Sequence, residues 1–461
     1  MKKLFGTDGI RGIANQYPMT AEMAVRVGRA VAAYFMDKGN PAKVIVGKDT
    51  RLSGDMLESA MIAGICSTGA DAWVAGVLPT PGIAHLAASF RANAGIMISA
   101  SHNPYYDNGI KVFDGEGFKL SDSQEAEIEK NILNGEPETL NKEPNKTGTC
   151  QNIPQANSDY IAFLKNSMPA GIFFKGLKIV LDCSNGATYR VAPQLFAELG
   201  AEVESLAVEP NGININDGCG SQHPENLIKA VKASRADVGL AFDGDGDRLI
   251  AVDETGNVLT GDHILAICAK DMSQKGTLKN NLVVSTVMSN MGLGSTLKKM
   301  GIQHEMAQVG DRYVVERMLS TGAVLGGEDS GHMIFADCHT TGDGILTALK
   351  LIEAMKTQNQ SLSRLSQIMK VFPQVLMNVD VEEKPHIESV PELMEVIQSV
   401  EAQLGDDGRV LVRYSGTQPL CRVMVEGPDE GTTRKFCTQI ADIVKNSIGS
   451  GGNRNRGAES R

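Results

Sequence analysis

Short runs of β-branched and aliphatic residues recur along the chain, and each run ends at a polar turn. After three of these runs a helical stretch ends in glycine, and a second short strand follows it. The three units comprise the runs 44–46, 179–181 and 283–284, the glycines Gly69, Gly200 and Gly301, and the second strands 72–74, 202–206 and 303–306. Strands that alternate with helices ending in glycine predict β-α-β units with mostly parallel sheets.

A further apolar strand in each unit leads into a polar, glycine-rich loop. These strands are predicted at 95–99, 238–242 and 323–325, and the loops follow at 100–104, 243–247 and 326–332. In such sheets ligands gather beyond the carboxyl ends of the strands. The three loops are therefore predicted to carry the ligand-binding or catalytic residues.

The pattern changes after about residue 368. Strands at 375–383, 410–412 and 422–425 with a helix at 390–404 are typical of a small α+β domain with an antiparallel sheet. We therefore predict an α/β protein with three similar α/β domains, whose sheets are mixed and mostly parallel, plus a smaller C-terminal α+β domain. The predicted boundaries are 1–155, 156–256, 257–367 and 368–448, with a polar linker within 131–160 and a disordered tail over 449–461.

Composition narrows the classes of function. The formal net charge of −11 disfavours a protein that coats nucleic acid or a membrane. The eight cysteines form no C-x-x-C pair, so a reducing cytoplasm fits better than a disulfide framework or a zinc ribbon. No apolar run reaches the roughly 18 residues of a membrane helix. Glycine is in excess, at 49 of 461 residues, as expected where backbone approaches ligands closely.

The loop that follows the predicted strand 238–242 carries three carboxylates within five residues. Asp243, Asp245 and Asp247 alternate there with Gly244 and Gly246. Three carboxylates so close repel one another unless a cation lies among them, and oxygen ligands favour a hard ion, Mg²⁺ or Ca²⁺. A solvated acidic turn is the alternative. An EF-hand is disfavoured, because Arg248 stands where that loop needs glycine and because strands flank it.

The loop that follows the predicted strand 95–99 contains a candidate nucleophile. On its own, Ser101-His102-Asn103-Pro104 favours ordinary turn chemistry. Beside a metal loop, the Ser101 hydroxyl becomes a candidate nucleophile or phosphoryl carrier. Lys111 is placed to reach the same site as a base or a charge clamp, with a solvated surface lysine as the alternative.

Two further loops carry groups suited to sugars and phosphates. The segment 328–332 (Glu-Asp-Ser-Gly-His) combines donors and acceptors, as hydroxyl-rich ligands require, although an ordinary polar turn would also explain it. The segment 413–417 (Arg-Tyr-Ser-Gly-Thr) joins a guanidinium to hydroxyls and backbone amides, which favours phosphate over a simple hairpin turn. Arg11 lies in a glycine-rich turn at 6–12, and two more polar turns stand at 49–51 and 310–313.

Together these motifs resemble the α-D-phosphohexomutase superfamily, and they follow that family's order over nearly the whole chain. The matching segments are 6–12, 99–104, 243–248, 327–332 and 413–417. Within the family the chain is most similar to bacterial members that act on glucosamine phosphates, on the basis of the opening segment 5–12, the turn 79–82 and the segment 309–314.

The resemblance implies four domains around a central cleft, carrying in turn the phosphoserine, the metal, the sugar site and a phosphate site. It implies an isomerase that interconverts glucosamine 6-phosphate and glucosamine 1-phosphate through a phosphoserine and a bisphosphate sugar. One Mg²⁺ would be held by Ser101, Asp243, Asp245 and Asp247. The other implied roles are catalysis by Arg11, His102 and Lys111, sugar binding by Arg248, Glu328, Ser330 and His332, and phosphate binding by Arg413, Ser415, Gly416, Thr417 and Arg422.

Asp329, Tyr414 and Gln418 depart from residues common in the family and leave the choice of sugar open. A phosphomannomutase/phosphoglucomutase of the same superfamily is the first alternative. A metal-dependent sugar phosphatase and a non-catalytic Ca²⁺ or sugar-phosphate binding protein are the others. The expected partners are a hexosamine phosphate and a sugar 1,6-bisphosphate, with no nucleic acid and no membrane. The expected location is the cytoplasm, and a homodimer is one candidate assembly.

Overall fold

The computed structural model describes residues 4–6, 8–36, 41–134, 146–169, 171, 173–415 and 419–449. Contacts divide the chain into two compact units, Met1–Met288 with Met300–Ile368, and Ser289–Lys299 with Met369–Arg461. The predicted tail lies outside the described residues, apart from Gly449. Among the helices that are described, none has both the length and the apolar character needed to cross a bilayer.

The first α/β region is built on a six-stranded sheet. Its elements are β1 (Ile10–Ile13), α1 (Ala21–Phe35), β2 (Lys43–Lys48), α2 (Gly54–Cys66), β3 (Asp71–Val77), α3 (Thr80–Ser89), β4 (Ala94–Ile98), β5 (Asp107–Asp114), α4 (Asp122–Asn134) and β6 (Cys150–Asn152). The strand order is β1-β5-β4-β2-β3-β6. The centre of β2, Val44–Val46, is fully buried, as expected for a parallel strand covered by helices on both faces.

The second α/β region has a five-stranded sheet in the order β11-β10-β9-β7-β8. Its elements are α5 (Ala156–Asn166), β7 (Lys178–Asp182), α6 (Val191–Glu198), β8 (Glu202–Leu206), α7 (Glu225–Ser234), β9 (Val238–Phe242), β10 (Leu249–Asp253) and β11 (Val258–Leu259). Leu227 and Val231 of α7 pack with Val180 of β7 in the core of this sheet.

The third α/β region has a four-stranded sheet in the order β13-β12-β14-β15. Its elements are α8 (Gly261–Gln274), β12 (Leu282–Thr286), α9 (Met291–Lys299), β13 (Gln303–Ala307), α10 (Asp311–Thr321), β14 (Leu325–Gly327), β15 (Met333–Phe335), α11 (Gly344–Gln358) and α12 (Leu362–Ser366). Although α9 follows β12 in the chain, it belongs by its contacts to the second compact unit.

The rest of the second unit is an antiparallel α+β fold, as predicted. Its elements are β16 (Gln374–Asp380), α13 (Pro391–Leu404), β17 (Arg409–Tyr414), β18 (Leu420–Glu426) and α14 (Glu430–Ile448). The strands run in the order β16-β18-β17, with both pairings antiparallel. Leu393 and Val400 of α13 and Ile440 of α14 are buried against this sheet.

The predicted threefold repeat is confirmed. In each α/β sheet the first strand of the unit pairs in parallel with two others: β2 with β3 and β4, β7 with β8 and β9, and β12 with β13 and β14. The strands β4, β9 and β14 are each followed by an antiparallel partner, β5, β10 or β15. Each of the three polar, glycine-rich loops predicted from the sequence therefore joins a parallel strand to an antiparallel one. The predicted fold class, with mixed and mostly parallel sheets, is confirmed.

Two details of the sequence prediction are wrong. The strand expected at 323–325 is β14 at Leu325–Gly327, because Gly322 caps α10 in the left-handed region and the backbone N–H of Ala323 still bonds to Met318. The segment 131–160 is not a plain linker, since it holds the end of α4, the strand β6 and the start of α5. Residues 135–145 within it lie outside the described residues. The four domain boundaries stay predictions.

Candidate active site

Ser101 lies just beyond the end of β4 in a strained turn. Its φ is 54°, in the left-handed region that a residue other than glycine rarely adopts, and the residue is buried. Its Oγ donates to Oδ2 of Asp243 at 2.5 Å and lies 3.4 Å from Nδ1 of His102. Strain of this kind persists only where the surroundings over-determine it, and it clusters at functional sites. The predicted nucleophile is thus held against the predicted metal loop.

The buried guanidinium of Arg51, whose local sequence pattern predicts no role, holds this turn. Arg51 donates from Nη2 to the carbonyl oxygens of Ser101 and Asn103 at 2.8 and 2.9 Å, and from Nη1 to that of Asp107 at 3.1 Å. Its Nε donates to Oδ2 of Asp49 at 2.8 Å. The planar fork of arginine suits this task, because it serves several carbonyls from one rigid group.

Two further side chains complete the hold on the turn. Ser99 donates from Oγ to Asp49 at 2.6 Å and accepts from the backbone N–H of Ser101 at 2.9 Å. Nδ2 of Asn216 donates to the carbonyl oxygens of Ser101 and Asn103 at 2.9 and 3.0 Å. The strained φ of Ser101 is therefore maintained by bonds to its own backbone, which leave its hydroxyl facing Asp243.

The three aspartates between β9 and β10 converge. Asp243, Asp245 and Asp247 are all buried, and one oxygen from each lies within 4.8 Å of the others. Burial, and then the charges of Asp247 and Asp245, raise the pKa of Asp243 well above its usual range. Gly244 allows the loop to press on the serine turn, since a Cβ there would lie 2.5 Å from the carbonyl oxygen of Ser101.

This donor set fits a divalent metal ion. Oδ1 of Asp245 and Oδ1 of Asp247 are buried and have no hydrogen-bond partner among the described residues. Buried polar atoms are rarely left without a partner, and a hard cation would satisfy both oxygens and relieve the repulsion between the carboxylates. The strands β9 and β10 flank the loop, which confirms that it is not an EF-hand.

Lys111 on β5 is buried in the same site, so the alternative of a solvated surface lysine is wrong. Its Nζ lies 2.9 Å from Asp245, 3.1 Å from Asp247 and 3.6 Å from Asp8. Burial opposes the charged form, but these carboxylates outweigh it and raise the pKa of Lys111 well above its usual range. The lysine therefore supplies a fixed positive charge beside the triad in this arrangement.

Thr80, the first residue of α3, fixes the position of Asp245 through two hydrogen bonds. Its Oγ1 donates to Oδ2 of Asp245 at 2.5 Å, and its backbone N–H donates to the carbonyl oxygen of the same residue at 2.9 Å. The turn 79–82, which carries part of the family resemblance, thus orients a metal-ligand candidate.

The loop between β14 and β15 reaches the triad through its histidine. His332 is buried, with Nδ1 3.6 Å from Asp247 and Nε2 3.7 Å from Asp311. Burial disfavours the imidazolium, but Asp247 and Asp311 together outweigh it and raise the pKa of His332. Arg248 forms an isolated β-bridge with His332, so the loop between β9 and β10 is joined directly to the loop between β14 and β15.

Glu328 and Ser330 are half-buried in this loop. Oε1 of Glu328 accepts from the backbone N–H of Gly310 at 3.0 Å. Oγ of Ser330 and Nε of Arg248 are buried without a hydrogen-bond partner among the described residues. Unsatisfied donors and acceptors grouped in this way suit a ligand with several hydroxyls.

Arg11 and His102 also lie close to the serine turn. Arg11 forms an ion pair with Asp8, and its Nη1 is 3.4 Å from the carbonyl oxygen of Ala100. Burial, followed by the charges of Arg248 and Arg11, lowers the pKa of His102 to about 4. His102 is therefore a neutral imidazole next to the Ser101 hydroxyl.

In the second compact unit, Arg413 on β17 and Arg422 on β18 stand directly opposite each other. Burial and the charge of Arg422 lower the pKa of Arg413. Like charges in this position destabilise a sheet unless an anion joins them, and Nε of Arg422 is buried with no hydrogen-bond partner in the described part of the chain. Ser415 is buried at the end of β17, whereas Gly416 and Thr417 lie outside the described residues.

Four models of the phosphoglucomutase/phosphomannomutase family match the chain in order. The alpha/beta/alpha domains I, II and III match residues 2–139, 158–256 and 260–372, and the C-terminal domain matches residues 376–443.

Similar proteins extend along the whole chain. It is 59% identical to the phosphoglucosamine mutase of Syntrophus aciditrophicus and 57% identical to that of Syntrophobacter fumaroxidans, each over 97% of this chain and 100% of the relative. A phosphoglucomutase/phosphomannomutase family protein from Burkholderia thailandensis has a solved structure that is 25% identical, with a TM-score of 0.78 over 96% of this chain and 97% of that one. The N-acetylphosphoglucosamine mutase of Aspergillus fumigatus, solved in complex with GlcNAc-6P and magnesium, shares the fold at 17% identity and a TM-score of 0.71, over 96% of each chain.

Proposed function

Because the chain belongs to the phosphoglucomutase/phosphomannomutase family, we propose that it interconverts glucosamine 6-phosphate and glucosamine 1-phosphate, with Ser101 as the carrier of the phosphoryl group. One observation carries the proposal: the Ser101 hydroxyl is held 2.5 Å from Asp243 within a buried carboxylate triad. The substrate rests on the identity of 59% to a phosphoglucosamine mutase over its full length. The phosphomannomutase/phosphoglucomutase alternative is not favoured.

In this proposal Ser101 gives its phosphoryl group to the free hydroxyl of the sugar monophosphate. The P–O bond to serine breaks as the P–O bond to the sugar forms, which yields a 1,6-bisphosphate. The sugar bisphosphate then reorients in the site, and its other phosphoryl group is transferred to Ser101. This transfer breaks the second P–O bond to the sugar and releases the isomeric monophosphate. The proton of the attacking sugar hydroxyl passes to a base, for which the neutral imidazole of His102 is the candidate. Of the two roles expected for Lys111, its charged state supports the charge clamp, with Arg11 as a further charge near the transferred group.

The divalent ion is proposed to be one Mg²⁺, held by Asp243, Asp245, Asp247 and an oxygen on Ser101; when bound, it would neutralise the charge of the phosphoryl group. The chain's own residues fix the geometry. Arg51 and Asn216 hold the serine turn, and burial of the site limits competition from water.

Sugar hydroxyls are proposed to bind at the loop between β14 and β15. Glu328, Ser330 and His332 supply acceptors and donors there, together with Arg248 from the neighbouring loop. The unpartnered Oγ of Ser330 and Nε of Arg248 support this assignment.

In the second unit, Arg413, Ser415 and Arg422 are proposed to bind the phosphate that is not being transferred, together with Gly416 and Thr417. The two opposed guanidinium groups support this role. The proposed setting is the cytoplasm, with a sugar 1,6-bisphosphate as activator and intermediate. The eight cysteines are all unpaired, which suits a reducing compartment.

A mutase assay on glucosamine, glucose and mannose phosphates tests the function. We expect rapid exchange of glucosamine phosphates, slower exchange of the other two, and little release of inorganic phosphate. The Ser101→Ala variant should lose exchange by orders of magnitude. Ser184→Ala is a matched control, because Ser184 is also buried with a φ of 53° in the turn after β7, and it should keep wild-type exchange. Steady phosphate release without exchange would instead favour a phosphatase.

A further inference from the structure

Six side chains around the triad form a closed ring in which bases alternate with carboxylates. In order they are Lys111, Asp247, His332, Asp311, Lys119 and Asp8. Lys111 lies 3.1 Å from Asp247, and His332 lies 3.6 Å from Asp247 and 3.7 Å from Asp311. Lys119 forms an ion pair with Asp311 and lies 2.6 Å from Asp8, which is 3.6 Å from Lys111.

Lys119 and Asp311 close this ring from two distant parts of the sequence. Lys119 follows β5, and Asp311 is the first residue of α10. Their side chains are only 14% and 13% exposed, so the ion pair is little screened by solvent. The same oxygen of Asp311, Oδ2, faces both the ammonium group of Lys119 and Nε2 of His332. The ion pair with Lys119 therefore keeps the carboxylate of Asp311 in position opposite the imidazole of His332.

The imidazole of His332 consequently has a carboxylate near each of its nitrogens, at distances longer than a hydrogen bond, and Nε2 has no hydrogen-bond partner among the described residues. Asp247 faces Nδ1 and Asp311 faces Nε2, each at under 4 Å. Without the charge of Asp311, Asp247 alone would attract the ring. The ring could then turn towards Asp247, which belongs to the triad that surrounds Ser101.

We propose that Asp311, held by Lys119, is a positioning residue that fixes the imidazole of His332 beside the aspartate triad for phosphoryl transfer. The inference rests on the proposed function. A positioning residue of this kind acts on the transfer step, because a displacement of about 1 Å at a reacting centre can cost roughly 100-fold in rate. Substrate binding should change less than the transfer step, because His332 is only one of the four proposed sugar contacts and Arg248, Glu328 and Ser330 stay unchanged.

Asp311→Asn keeps the shape of the side chain and removes its charge. We expect it to lower kcat by roughly 10- to 100-fold while KM for glucosamine 6-phosphate stays within about 3-fold. The rate of a single transfer from phosphorylated Ser101 should fall by the same factor as kcat. Lys119→Met should act in the same direction, and it should lower kcat less in the Asp311→Asn background than in the wild type, because the two changes share the Lys119–Asp311 contact while the contact of Lys119 with Asp8 is separate.

Arg312→Gln is the matched control. Arg312 is the next residue, and it pairs with Asp122 and with Glu125 at 2.6 Å on α4, so it joins the same two segments of chain without entering the ring. It should lower the melting temperature at least as much as Asp311→Asn but leave kcat within about 2-fold of the wild type.

The outcomes separate this inference from the proposed function. A fall in kcat with Asp311→Asn, not shared by Arg312→Gln, supports the positioning role. An active wild type with an unimpaired Asp311→Asn variant, or an equal loss of kcat in Arg312→Gln, overturns the positioning role alone. A wild type that shows no mutase activity overturns the proposed function, and this inference with it.

Discussion

Replacing Arg51 with lysine would test how the serine turn is held. The change keeps the positive charge beside Asp49, so that the buried carboxylate stays paired. Arg51 bonds four backbone carbonyl oxygens of the turn, those of Ser101, Asn103, Pro104 and Asp107. A lysine has three donors and would keep one of them on Asp49, so at least two of the carbonyl bonds are lost.

Hydrogen bonds to charged groups contribute about 1.5–3 kcal/mol each, so the lower bound for the loss is ~3 kcal/mol. If the turn must be intact in the transition state, a loss of ~3 kcal/mol corresponds to a fall of roughly 100-fold in kcat. The assay is mutase exchange with saturating glucosamine 6-phosphate, alongside a melting curve. Arg190→Lys, which changes an exposed arginine that lies over the ring of Tyr189, should keep wild-type kcat. An Arg51→Lys variant with kcat within about 2-fold of the wild type would refute the reasoning.

Three other changes have expected outcomes. Thr80→Val removes the hydroxyl that bonds Asp245 and should weaken Mg²⁺ binding by roughly 10-fold in calorimetric titration. Burial raises the pKa of Asp343 to about 6, so the folded chain holds this proton to higher pH than the unfolded chain does. The resulting stability is present at low pH and is lost as the pH rises from about 4 to about 6, by roughly 2–3 kcal/mol, and Asp343→Asn should remove that part of the pH dependence of unfolding. Arg422→Met should raise KM by roughly 10-fold or more and change kcat less, because it leaves Arg413 alone to bind phosphate.

Each of these changes has its own control. Thr80→Ser keeps the hydroxyl and should bind Mg²⁺ as the wild type does; equal weakening in both variants would contradict the bracing role. For Asp343 the decisive quantity is the difference between variant and wild type across the pH range, and parallel curves would contradict the assignment. Arg434→Met changes an exposed arginine that pairs with Glu430 and should leave KM unchanged; an equal rise in KM would count against a specific phosphate site.

The parts of the fold that the sequence predicts well are those with a strong local pattern. The centre of β2, Val44–Val46, consists of β-branched residues, which indicates a buried strand directly. By contrast β14 is Leu-Gly-Gly, whose two glycines disfavour a strand, and it forms only because it pairs with β12 and β15. The edge strand β6 is Cys-Gln-Asn with every residue exposed, so it has no apolar alternation to detect.

The candidate site divides in the same way. Ser101 and the three aspartates could be found because each lies in a short motif with distinctive chemistry, and the structure brings them together. Lys119 and Asp311, 192 positions apart, could not be paired from sequence, because nothing local to either residue marks the contact. The sequence marks Arg51 only as part of a polar turn, since its function depends on carbonyl groups about 50 positions further along the chain. The classes of fold and enzyme were thus predictable, whereas the residues that hold the reacting groups in place were not.

The central claim is that Ser101 carries the phosphoryl group during turnover. Trypsin should release the peptide 92–111, which contains this residue, from enzyme quenched while it is converting glucosamine 6-phosphate in the presence of the sugar 1,6-bisphosphate. Fragment mass spectrometry of that peptide locates any added phosphate. We predict phosphate on Ser101, and not on Ser99, Tyr105 or Tyr106, in a fraction of molecules that rises with the bisphosphate concentration. Fully active enzyme in which residue 101 is never phosphorylated would contradict the account.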